Sequence, residues 1–135
     1  MLKDTIIIIS SIVLIAGILF IFFGENEQVT FNKFEFNSET SESTVTIDLV
    51  PKSFNENKLY VDIRLDTHIV DLSKFDLKKV VTLEFDNKFV NPISAPELTG
   101  HHSSGTLIFE IDEKPETFKI KINDIPDIPV RSFEW

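Results

Sequence analysis

From Thr44 to Leu49 the chain alternates strictly: Val45, Ile47 and Leu49 are apolar, and Thr44, Thr46 and Asp48 between them are polar. This period of two is what a strand with one buried face requires, because successive side chains point to opposite sides of the pleat. The same alternation returns with Leu59, Val61, Ile63 and Leu65, then with Val81, Leu83 and Phe85. It returns again with Leu107, Phe109 and Ile111, and with Phe118, Ile120 and Ile122. In "QVTFNKFEFN" the phase slips at Asn32–Lys33, which predicts a β-bulge. The closing "VRSFEW" puts Phe133 and Trp135 on one face. Turn-forming stretches separate these runs: "VPKSFNENK", "FDNKFVNPISAPELTG", "DEKPE" and "NDIPDIP". Asp86 and Asn87 form one turn pair, and Asp124 and Asp127 flank the last prolines as turn residues. No amphipathic helix of useful length is predicted after residue 24. About seven short strands predict an all-β, immunoglobulin-like antiparallel sandwich, with a small barrel as the alternative. Of the thirteen phenylalanines, the ten after residue 24 can supply much of its core.

The first 24 residues follow another rule. Residues 5–23, "TIIIISSIVLIAGILFIFF", carry no charge and only three hydroxyl side chains. As a helix they extend roughly 28 Å, close to the hydrocarbon thickness of a bilayer. The run exceeds a signal-peptide core, and "FIFFGENEQ" offers no small-x-small cleavage site, so residues 1–24 are expected to be an uncleaved transmembrane signal anchor. Lys3 and the start amine precede the span and Glu25 and Glu27 follow it. That asymmetry predicts a cytoplasmic N-terminus and an extracytoplasmic domain over residues 25–135.

Charge and cysteine content narrow the function. The net charge is −9, and all but one each of the 13 Lys+Arg and 22 Asp+Glu follow residue 24. Such a domain is a poor nucleic-acid binder, since phosphate affinity comes from Lys and Arg. With no cysteine there is no disulfide staple, and the fold rests on its core, a metal or a partner. No Asn-x-Ser/Thr sequon occurs. The sequence also lacks a Cys nucleophile, a GxSxG elbow, a phosphate-cradling glycine loop, HExxH and CxxC. Ser103 and Ser104 adjoin two histidines, but sequence adjacency supplies neither a positioned base nor an oxyanion hole. The expectation is a non-catalytic protein.

The remaining candidate chemistry lies in two segments. "RLDTHIVDLSKFDL" holds Asp66, His68, Asp71 and Asp76, and "GHHSSGTL" holds His101 and His102. Both fall at strand ends, where segments distant in sequence meet on one rim of a sandwich. His68, His101 and His102 with Asp66 and Asp71 form a candidate metal-ligand set, and imidazole suits Zn²⁺ or Cu²⁺. Adjacent histidines on a regular strand point to opposite faces, so a shared ion requires a loop, for which Gly100 and Gly105 are flexible flanks. The competing expectation, and the favoured one, is that these side chains hydrogen-bond the loops to each other. Trp135 either caps the core or meets lipid or a partner, and the core is preferred.

"LDTHIVDL", "GHHSSGTLIFE" and the terminal "FEW" together resemble a small family of exported or membrane-anchored β-domains with no assigned activity. That family is marked by D/N-T-H-x-V-D-L, G-H-H-x-x-G-x-L-x-F and a terminal F-x-W. The likeness covers about residues 57–135. Asp66, Thr67, His68, Val70, Asp71 and Leu72 match the first motif; Gly100, His101, His102, Gly105, Leu107 and Phe109 match the second. The family's Trp-x-Gly ahead of the histidines is replaced here by "SAPELTG". The resemblance implies that the two segments work together and assigns no reaction. The functional expectation is therefore an anchored interaction or accessory module with a protein partner in the membrane or envelope. The alternative is an extracytoplasmic Zn- or Cu-binding domain using His68, His101 and His102.

Overall fold

Val45, Ile47 and Leu49 are completely buried, as are Leu59, Val61 and Leu65, and the alternation translates directly into strands. The structure is a computed structural model and describes residues 36–135. The expected anchor over residues 1–24 and the bulge at Asn32–Lys33 lie outside the described residues. Among the described residues no helix is long and apolar enough to cross a membrane.

Among the described residues eight strands form: β1 (Glu39–Ser41), β2 (Val45–Asn55), β3 (Lys58–Thr67), β4 (Val81–Phe85), β5 (Lys88–Val90), β6 (His102–Glu110), β7 (Lys119–Asn123) and β8 (Val130–Glu134). They make two antiparallel four-stranded sheets, ordered β1-β2-β3-β6 and β5-β4-β7-β8. Between β3 and β4 come a single 3-10 turn (Leu72–Lys74) and a one-turn helix α1 (Leu77–Val80), each capped by an aspartate, Asp71 and Asp76. Both sheets face one hydrophobic core, and inward residues from each strand of β2, β3, β4, β6, β7 and β8 meet there. The protein is an all-β sandwich.

Two tight turns fix part of this strand order. Here Glu56 and Asn57, at φ 49° and 60°, make a two-residue turn with both central residues left-handed, so β2 and β3 must be hairpin neighbours. Asp86 and Asn87, at φ 44° and 59°, do the same for β4 and β5. The described residues hold eight strands because Glu39–Ser41 and Lys88–Val90 add two short edge strands that the alternation did not mark, while the strand expected in "QVTFNKFEFN" lies almost wholly outside them. The chain also does not turn at "VP". β2 runs through Pro51 with a register shift between Pro51 and Ser53. β1 pairs only as far along β2 as Leu49, so the missing N–H of Pro51 falls beyond that ladder.

The free edge of β6 is partly covered by the long connection from β5. Ile93 N donates to Ile108 O at 2.8 Å and Ile108 N to Ser94 O at 2.9 Å. Gly105 permits this approach: a Cβ there would lie 2.5 Å from Pro96 Cβ. Blunting an edge in this way removes a template for pairing with other chains.

A buried cation joins the sheets at one end. Arg131 on β8 is 2% exposed and donates to Ser41 O and Oγ, to Ser43 Oγ and to Pro126 O. Burial pushes its guanidinium below the ordinary arginine value, and Asp127 acts in the opposite direction. At the other end Trp135 stacks on Phe118 (centroids 5.2 Å apart), and its Nε1 donates to Asn37 O at 2.8 Å. The expectation that Trp135 caps the core agrees with these contacts.

Candidate functional site

The two motif segments meet. Asp66 near the end of β3 pairs with His102 at the start of β6, so the histidine segment and "DTHIVDL" share one rim. Backbone bonds continue the seam beyond the strands: Thr67 N donates to His101 O, and Leu72 N to Gly100 O, both at 2.9 Å. Gly100, at φ 58°, makes the left-handed turn that aims this carbonyl.

Thr67 organises the loop that follows β3. It sits at an inward position of the strand and is 3% exposed. Its hydroxyl donates to Thr44 O at 2.7 Å and accepts the amides of Ile69 (3.4 Å) and Val70 (3.3 Å). One oxygen thus ties the start of β2 to the loop and shapes residues 67–70. The loop presents Ile69 to solvent at 79% exposure, the largest value among the exposed large hydrophobics described.

The histidines divide into two roles. His101 Nδ1 donates to Val70 O at 3.0 Å, which fastens its loop to the β3 loop. His102 Nδ1 donates to the Asp66 carboxylate at 2.8 Å, and the other carboxylate oxygen of Asp66 pairs with Arg64 Nε. The His102 bond, followed by the Arg64 contacts, holds the Asp66 carboxyl below the usual carboxylate value against an opposing desolvation penalty. His68 is exposed, and its ring stands edge-on to that of His102, with centroids 6.1 Å apart. Asp71 does another job: its Oδ1 accepts from Ser73 Oγ (2.7 Å) and Ser73 N (3.1 Å), and these bonds lower its pKa.

Of the five residues expected at a metal site, the fold therefore brings Asp66, His68 and His102 into one neighbourhood. His101 is engaged with the loop and Asp71 with its cap. Among the described residues no group of three or more His, Cys, Asp or Glu side chains is arranged to hold a metal ion. The serines beside the histidines are also engaged or turned elsewhere. Ser103 Oγ accepts from Thr99 N at 2.7 Å and donates to Thr99 O at 2.9 Å. Ser104 pairs with Arg64 on the outer face of the sheet. An open depression of about 310 Å³ lies between Arg64, Asp66, His102, Ser103 and Ser104.

Two residues that matter to this rim carried no assigned role in the sequence reading, Thr67 and Arg131. Each is polar at an inward phase, in line with Leu65 and with Phe133 respectively, and that break in the apolar set is the signal that marks them. Comparison with known protein families, with curated proteins and with solved structures finds no match to this chain.

Proposed function

We propose that this chain is a single-pass, membrane-anchored β-sandwich that works as a non-catalytic interaction or accessory module, docking a protein partner in a membrane or envelope complex. The observation that carries this reading is the construction of the rim. His101 Nδ1 donates to Val70 O, Thr67 N to His101 O and Leu72 N to Gly100 O, so two loops are held against each other, and the loop after β3, shaped further by the Thr67 hydroxyl, displays Ile69 to solvent. A single exposed apolar residue is ordinary on a surface. One mounted on a loop with this many fixed bonds is pre-organised for contact, which lowers the ordering cost of binding.

The apolar residues 5–23 supply the anchor and the charge asymmetry supplies the orientation, with the sandwich outside. The acidic surface argues for a protein partner over a nucleic acid.

Extraction in mild detergent followed by size analysis tests the proposal. The chain is expected in a discrete complex, and Ile69→Asp is expected to release it as the 15.5 kDa chain. A lone wild-type monomer in every mild detergent would overturn the reading.

A further inference from the structure

Two imidazoles on the rim are arranged differently from the third. His101 spends its Nδ1 on a loop carbonyl, whereas His102 spends its Nδ1 on Asp66. A carboxylate bonded to one ring nitrogen is the arrangement that fixes the tautomer of a metal-binding histidine, orients its ring and raises the basicity of the other nitrogen. In the neutral ring with Nδ1 as the donor, Nε2 carries the lone pair. Asp66 is itself held by Arg64, so the orienting carboxylate has its own support. His68 stands beside this ring and makes no hydrogen bond among the described residues, which leaves both of its nitrogens available.

The spacing suits a shared ion. With a metal–nitrogen bond of about 2.0–2.1 Å, two imidazole centroids on one ion lie about 4.5 Å apart when cis, about 5.2 Å at the tetrahedral angle and about 6.3 Å when trans. The observed 6.1 Å falls within this span. Both rings are exposed, so small rotations of their side chains adjust the angle, and the remaining positions are open to solvent. A two-imidazole site with solvent in the other positions favours the ion that binds nitrogen donors most strongly in the divalent series, Cu²⁺.

We propose that His68 and His102 form a two-imidazole surface site for a divalent transition-metal ion of the Cu²⁺ type, with Asp66 as the positioning residue and His101 outside the site. The inference is independent of the docking role: the site stands on the ring pair and its carboxylate, the docking role on the loop that carries Ile69.

The test is Cu²⁺ titration of the full chain in mild detergent, with electron paramagnetic resonance reading the nitrogen coupling at the bound ion. One equivalent is expected to bind with two imidazole nitrogens. His68→Gln and His102→Gln singly are each expected to remove one nitrogen from the spectrum, and the double variant to abolish the signal. His101→Gln is expected to leave the spectrum unchanged. Asp66→Asn, which keeps the shape and removes the charge, is expected to weaken binding about 10–100-fold. His68 touches only a neighbouring ring, so His68→Gln keeps the test valid if a change at His102 disturbs folding. Absence of stoichiometric binding, a two-nitrogen spectrum that survives in the double variant, or its loss in His101→Gln overturns the proposal. Unchanged affinity in Asp66→Asn overturns the positioning role.

Discussion

Thr67→Val replaces a hydroxyl by a methyl of nearly the same volume, so it removes hydrogen bonds and little else. The structure gives three bonds to that hydroxyl: a short one to Thr44 O and two longer ones from the Ile69 and Val70 amides. A buried group left without its partner costs about 1–3 kcal/mol. The Thr44 carbonyl carries most of this cost, because the two amides are held at 3.3–3.4 Å and lie in a loop that water can reach. The expected total is about 2 kcal/mol. For a domain of about 100 residues, that lowers Tm by about 8–16 °C. Thr67→Ser is the control, since it keeps the oxygen and loses a buried methyl worth about 0.8 kcal/mol. Thermal unfolding of the full chain by circular dichroism measures both values. Amide hydrogen exchange localises the effect: Ile69 and Val70 are expected to exchange faster in Thr67→Val and to stay near wild type in Thr67→Ser. Equal stability of Thr67→Val and wild type within about 0.5 kcal/mol, with unchanged exchange at both amides, would refute the role given to this hydroxyl.

Other parts of the structure respond to simple perturbations. Gly105→Ala places a methyl 2.5 Å from Pro96 Cβ, and the overpacking outweighs the backbone gain by about 1–2 kcal/mol in chemical denaturation. Adding Pro96→Gly to that variant is expected to recover part of the loss. Arg131→Ala strips three hydrogen bonds to the β1–β2 corner and one to Pro126 O and leaves half-buried acceptors unpaired, lowering stability by about 3 kcal/mol. Asp71 has a depressed pKa in the folded state, so its cap contributes stability above the unfolded-state carboxylate pKa of about 3.9. That contribution disappears as pH falls through the folded-state value. Asp71→Asn is therefore expected to flatten the acid side of a stability–pH profile, and carboxyl NMR of Asp71 reads the low pKa directly.

Most strands were visible in the sequence because one face of each is buried, and a period of two is the only pattern that keeps an apolar set on that face. Val45, Ile47, Leu49, Leu59, Val61, Ile63 and Leu65 all sit where the alternation put them. Pro51 misled because proline usually ends a ladder, whereas here it lies past the end of β1 and the strand continues through a bulge. The strand order was not legible from periodicity, since it depends on which distant strands pair. The Glu56–Asn57 and Asp86–Asn87 turns, read for length as well as composition, carry part of it. The partnership of "DTHIVDL" with "GHH" was expected from their places at strand ends and from the resemblance, and it arises through the Asp66–His102 pairing. The division of labour among the histidines could not be read from spacing. It depends on which carbonyl or carboxylate each Nδ1 meets across the rim, a contact between residues more than thirty positions apart.

The claim at the centre of this account is that the fixed rim is the docking end of the domain. A photo-crosslinking amino acid placed at Ile69, and separately at Ser132 on the exposed face of β8, tests it in intact membranes. Irradiation is expected to give one discrete adduct from position 69 and none from position 132. No adduct from position 69, or the same adducts from both positions, would contradict it.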